Sequence, residues 1–124
     1  MLKANFITAQ EAAEKIQDGS TLCTIGMTLV SASESILKAI EKRFEMVGHP
    51  ADITLVHSCG QSDRKDGIQH LAHEGLVKRI VGSHWGLQPR WMEMIANSQV
   101  EAYCLPQGQI AQLYRSMACG LPGK

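Results

Sequence analysis

The stretch Ile53-Thr54-Leu55-Val56-His57-Ser58-Cys59-Gly60-Gln61 decides the fold. Ile53 to Val56 form a short run of β-favouring residues, the length of a buried strand. A polar loop containing glycine replaces it at once, from His57 to Gln61. The next residues, Gln61-Ser62-Asp63-Arg64-Lys65-Asp66, mix charges of both signs and read as a solvated loop. A short helical segment follows around Ile68 to His73, with Gly67 and Gly75 as punctuation, and Val77 to Val81 reads as the next strand, the third of the chain. Strand, helical crossover and strand make a parallel unit.

The same alternation extends both ways. Upstream, Thr21-Leu22-Cys23-Thr24-Ile25 is a β-rich run ending at Gly26. A helix begins near Ser31 or Ser33, carries the stripe Ile36, Leu37, Ile40 and Phe44, and closes at Gly48 and Pro50. Before them, Thr8 with Glu11 three residues on is a capping-box pattern. It opens a helix over Thr8 to Gln17 that Gly19 stops. Downstream, Pro89 suits the first turn of a helix bearing Trp91, Met94 and Ile95. Val100 to Leu105 is a fourth strand, and Ile110, Leu113, Tyr114 and Met117 share one face of a last helix ended by Gly120.

Four strands separated by helices predict an α/β fold: a mainly parallel sheet flanked by helices on both faces, with right-handed crossovers. Residues 1–124 read as a single domain. In such sheets ligands gather beyond the carboxyl ends of the strands, where the strand order switches. Those ends are Gly26-Met27-Thr28, His57 to Gln61, Ser83-His84-Trp85-Gly86 and Pro106-Gln107-Gly108. Each combines glycine with polar or aromatic residues.

Twelve basic residues balance twelve acidic ones, with no cluster of one sign. That argues against nucleic-acid and membrane-surface partners, which need a local excess of Lys and Arg. No signal peptide is evident, and no run approaches the roughly 18 apolar residues of a membrane span. Cys23, Cys59, Cys104 and Cys119 form no C-x-x-C pair and read as reduced thiols, so a cytoplasmic location is expected.

Phosphate-loop and dinucleotide-binding glycine patterns are missing, so neither ATP nor NAD is expected. His70 and His73 share a helical face, but no third ligand is evident from the sequence and no metal is expected. Cys59 with His57 is an alternative nucleophilic pair, pointing to a hydrolase.

Taken together, the four loops resemble family I coenzyme A transferases of the acetate/propionate and short-chain 3-oxoacid type. Leu71-Ala72-His73-Glu74-Gly75-Leu76-Val77-Lys78-Arg79 is similar to the family's run before its third strand. Gly82-Ser83-His84-Trp85-Gly86 resembles its G-H-W-G, and Leu105-Pro106-Gln107-Gly108 its P-Q-G. Ala118-Cys119-Gly120-Leu121-Pro122-Gly123 is similar to its G-x-P-G close, and Asp18-Gly19-Ser20-Thr21 fits its opening.

The resemblance implies the N-terminal portion of an α-type CoA-transferase domain, and a reaction that moves CoA from an acyl-CoA to a short-chain carboxylic acid. Relatives use a glutamate in an S-E-N-G context that forms an acyl anhydride and then a glutamyl-CoA thioester. None of the glutamates here has that context, so the nucleophile is expected on a second, β-type half, and the isolated chain is expected to be inactive. The resemblance implies substrate contacts from Gly26, Met27, His57, Ser58, Gly60, Gln61, His84 and Gln107. It implies coenzyme A as a substrate and no tightly bound cofactor. One departure stands out: Leu29 and Ser31 occupy positions where relatives often have glycine. Trp85, Leu87, Met27 and Leu29 are candidates for contact in a homo-oligomer or with the second half. A non-catalytic regulatory or scaffold relative is the alternative reading, because a fold does not fix a function.

Overall fold

The computed structural model describes residues 4–122. Its sheet contains β1 (Thr21–Thr24), β2 (Ile53–His57), β3 (Val77–Gly82) and β4 (Glu101–Cys104), all parallel and paired in that order. The helices are α1 (Ala9–Glu14), α2 (Glu34–Val47), α3 (Pro89–Ala96) and α4 (Gln107–Ala118), with a 3-10 turn at Gly67–Leu71 between β2 and β3.

Register sets the core. Leu22, Leu55, Ile80 and Ala102 lie side by side across the four strands. Side chains alternate along a strand, so Ile53 shares their face. Leu37 and Ile40 of α2, Ile68 and Leu71 of the 3-10 turn, and Trp91 and Met94 of α3 pack with these residues into one buried cluster. The opposite row is Cys23, Val56, Val81 and Tyr103. Only its middle is sealed: Val56 is buried, while Cys23 and Tyr103 are exposed. On this side α4 contributes Ile110, which is fully buried outside the main cluster, and Tyr114, which lies near Cys23. Helices therefore flank both faces, but unequally.

The strand order contains no reversal, unlike the switch point expected from the sequence. With an unreversed order, crossovers of the usual right hand lay every connecting segment on one face, which accounts for the unequal covering. The loops after the strands still share one rim, because parallel strands end on one edge.

Local chemistry fixes the helix ends. Thr8 Oγ1 accepts from the Glu11 N–H at 3.2 Å and the Thr8 N–H donates to Glu11 Oε2 at 2.7 Å, completing the capping box. The carbonyls at the end of α1 take an Arg43 guanidinium: Nη1 donates to the oxygens of Ala13 and Ile16 at 2.7 and 2.8 Å. That supplies acceptors' partners which a helix terminus otherwise lacks, and it ties α1 to α2. Ser33 precedes α2 without a side-chain cap, and Gly48 ends it in the left-handed conformation at φ 73°. Among the described residues no helix is long and apolar enough to cross a membrane. All four cysteines are unpaired thiols.

Candidate functional site

Beyond Thr24 the chain turns sharply through Gly26. Its φ is 148°, and a Cβ there would meet the Val30 carbonyl at 2.8 Å, so only glycine fits. Met27 and Val30 then close a tight antiparallel bridge, with N–H to O distances of 3.1 and 2.9 Å. Thr28 and Ser31 have φ values of 52° and 63°. Ser31 thus holds a glycine-like backbone without being glycine, at a cost of roughly 1–2 kcal/mol. The loop exposes apolar side chains: Met27 is 61% accessible and Val30 66%.

Ser58 holds this loop to the end of β2. Its hydroxyl donates to the Gly26 carbonyl at 2.6 Å and accepts from the Gly26 N–H at 3.1 Å. Gln61, fully buried, donates its Nε2 to Ser58 Oγ at 3.0 Å and to the Thr24 carbonyl at 2.8 Å. Tyr114 reaches across from α4 and donates to the same Thr24 carbonyl at 2.9 Å. Burial, with the nearby Cys23 adding to it, pushes the Tyr114 hydroxyl up to about 12, so it stays a donor at any ordinary pH.

His57 is fully buried, on the core face with Ile53 and Leu55. Nδ1 lies 2.6 Å from the Ser58 carbonyl, and Trp85 Nε1 donates to Nε2 at 3.0 Å. A carbonyl only accepts and an indole N–H only donates, so the proton sits on Nδ1 and the ring is neutral. Burial depresses the pKa from 6.5 to about 4; the Ser58 bond opposes this and His84 adds to it. Gly82 makes room for the ring: a Cβ there would lie 2.1 Å from Nε2. Both nitrogens are engaged, so His57 does not activate Cys59.

The remaining expected residues fall into two groups on the same rim. The exposed His84 ring lies against Gly60, where an added Cβ would come within 3.3 Å of it. Gln107 is exposed at the start of α4, and its Oε1 accepts from Ser83 Oγ at 2.7 Å. The structure therefore links Gly26 and Gln61 through Ser58, joins Gly60 to His84, and hydrogen-bonds Gln107 to Ser83 rather than to Ser58. Sequence reasoning missed Tyr114, Thr24 and Ser83. A hydroxyl within the apolar stripe of α4 was the one available sign of Tyr114.

The sequence model of the coenzyme A transferase family matches residues 6–124. This chain belongs to the coenzyme A transferase family. It is 36% identical over 121 residues to the caffeate CoA-transferase of Acetobacterium woodii, covering 97% of this chain and 23% of that protein. It is 34% identical over 119 residues to the acetate CoA-transferase YdiF of Escherichia coli K12, covering 94% of this chain and 22% of that protein. The fold superposes on the crystal structure of the acyl-CoA transferase YdiF of E. coli O157:H7, a thioester complex with CoA. There the TM-score is 0.86 at 32% identity, over 94% of this chain and 24% of the other. The chain spans about a quarter of the length of these coenzyme A transferases.

Proposed function

We propose that this chain supplies one wall of a coenzyme A transferase active site, which moves CoA from an acyl-CoA to a short-chain carboxylic acid. The nucleophilic glutamate comes from a second, β-type half. Its carboxylate attacks the acyl-CoA thioester carbonyl and expels CoA thiolate, leaving an acyl-glutamyl anhydride. The thiolate then attacks the glutamyl carbonyl, releases the first acid as its carboxylate, and forms glutamyl-CoA. The second acid takes the acyl position by the reverse sequence. Carboxylate nucleophilic catalysis of this kind divides one difficult exchange into easier steps.

The observation that carries this reading is the rim itself. Loops from four parallel strand ends meet there, in a family whose YdiF member has been crystallised as a CoA thioester. On this reading the Gly26–Met27 loop, Gly60, His84 and Gln107 face the substrates. Ser58, Gln61 and His57 act through the backbone they hold, because their hydrogen-bonding groups are turned inward. Gln107 is the best-placed donor to a carboxylate: Ser83 occupies its amide oxygen, leaving Nε2 to donate. The apolar side chains of Met27 and Leu29 narrow the acid pocket and line the contact with the second half.

The test is CoA exchange between acetyl-CoA and propionate. Turnover is expected when the chain is combined with the remaining portion of a close relative, and none from the chain alone. Gln107→Ala in the combined enzyme should raise the KM for the acid at unchanged stability. An exchange activity of the isolated chain that depends on one of its own glutamates would overturn the proposal.

A further inference from the structure

Away from the rim, an ionic cluster joins α2 to the 3-10 turn, and it answers the question that His70 and His73 pose in the sequence. Glu34 and Glu41 lie two turns apart on α2, so both face the turn; Asp66 immediately precedes it. His70 Nε2 lies 2.8 Å from Glu34 Oε1 and 3.4 Å from Asp66 Oδ1. Its Nδ1 is hydrogen-bonded to Glu41 Oε2. The other Glu41 oxygen faces His73 Nε2 at 2.9 Å and Arg90 Nη1 at 3.5 Å. The Gly67 N–H donates to Glu34 Oε2 at 2.9 Å and fixes that carboxylate. A cationic atom already sits between the two acids: Lys38 Nζ is 3.1 Å from Glu34 Oε1 and 3.3 Å from Asp66 Oδ1.

We infer that Glu34, Asp66 and His70 form a site for a divalent transition-metal ion, with Glu41 orienting the imidazole. Two donors each about 2.1 Å from a common ion, at angles between octahedral and tetrahedral, stand roughly 3.0–3.4 Å apart. The two His70 separations of 2.8 and 3.4 Å lie close to that range, and one ligand atom from each of the three residues falls within 4.8 Å of the others. Both ring nitrogens face carboxylate oxygens, which only accept, so each carries a proton in the ion-free cluster. A bound ion displaces the Nε2 proton while Nδ1–H still donates to Glu41. This is the carboxylate–histidine–metal arrangement, in which the outer partner fixes the tautomer. One imidazole with two carboxylates suits borderline ions such as Mn²⁺, Co²⁺ or Zn²⁺, with water filling the open positions. The ion takes the place of the Lys38 ammonium, whose side chain is 54% accessible and swings out to solvent. Its seat is structural. The Ile68 N–H donates to the Gln61 carbonyl at 2.9 Å, so an ion binding the turn to α2 also braces Gln61, which hydrogen-bonds the Ser58 hydroxyl that holds the Gly26 loop. The inference does not rest on the transferase reading.

Mn²⁺ is the probe of choice, since the four free thiols compete little for it. Titration into the 124-residue chain, followed by calorimetry and by paramagnetic broadening of the imidazole NMR signals, should show one saturable site that broadens His70. His70→Gln should abolish binding. Glu41→Gln should weaken it by about 10–100-fold, the usual effect of losing a ligand's outer partner. Lys38→Ala should tighten it by about fivefold, the effect of removing one like charge a few ångströms away in water. That gain cannot arise from misfolding. His73→Gln should leave the affinity unchanged. The inference fails if no saturable binding occurs below millimolar Mn²⁺ or Co²⁺. It also fails if binding survives His70→Gln, or is lost with His73→Gln, which would place the ion between Glu41, Glu45 and His73 instead.

Discussion

At the β1–β2 end of the rim the Ser58 hydroxyl makes three hydrogen bonds within the protein and Gln61 is sealed from solvent. At the β3–β4 end Gln107 is exposed and makes one side-chain bond, to Ser83. The first arrangement has no donor to spare, so its polar groups fix the shape of the backbone. The second keeps a donor in reserve for a ligand. On the proposed reading, polar residues at a strand end divide into those that build the wall and those that face the substrate. Burial and hydrogen-bond capacity separate them where residue type does not.

The largest effect should come from acid, through His57. Its folded pKa is depressed from 6.5 to about 4, so the folded state resists a proton that the unfolded chain accepts. Its contribution is complete above pH 6.5 and is lost as pH falls towards 4, by about 3 kcal/mol in all. Urea unfolding at pH 7 and pH 4 should show this loss, and His57→Gln should remove it from the difference. A variant with the same acid sensitivity would show that His57 is not the buried neutral group described.

Next come substitutions of the wall. Gly82→Ala drives a methyl into His57 and should destabilise by about 1–3 kcal/mol. Trp85 fluorescence should shift as its bond to the ring breaks. Ser58→Ala strands the Gly26 backbone groups and Gln61, and should cost about 1–3 kcal/mol. The smallest effect belongs to the other end. Gln107→Ala should change stability by no more than about 0.5 kcal/mol, as for an ordinary surface site. Equal losses for Ser58→Ala and Gln107→Ala in a thermal melt would erase the contrast between the two ends.

The strands were legible because each is an apolar run closed by glycine or a polar loop, and their observed ends fall within a residue or two of the expected ones. Thr8 and Glu11 announced their capping box. Ser33 did not announce the absence of a side-chain bond, since that depends on the geometry of the preceding turn. The inward placement of His57 was within reach, because Ile53, Leu55 and His57 obey the period of two. Its partner was not: Trp85 is 28 residues away, and the bond exists only once β2 and β3 are paired. The Tyr114–Thr24 bond spans 90 residues, and Glu34 meets His70 across 36. Such contacts are set by the packing of α4 and α2 and leave no local trace. Helices flank both sheet faces as expected; that they do so unequally goes with the unreversed strand order, which no local sequence pattern reveals.

The central claim, that the strand-end rim is a substrate wall completed by a glutamate from elsewhere, is tested most directly by transfer of labelled CoA. The assay would use this chain combined with the remaining portion of the acetate CoA-transferase. Transfer from acetyl-CoA to propionate should appear in the combined enzyme, fall when the partner's glutamate is replaced, and be absent from the chain alone. No transfer from a folded, correctly assembled complex, or transfer unaffected by loss of that glutamate, would contradict the account.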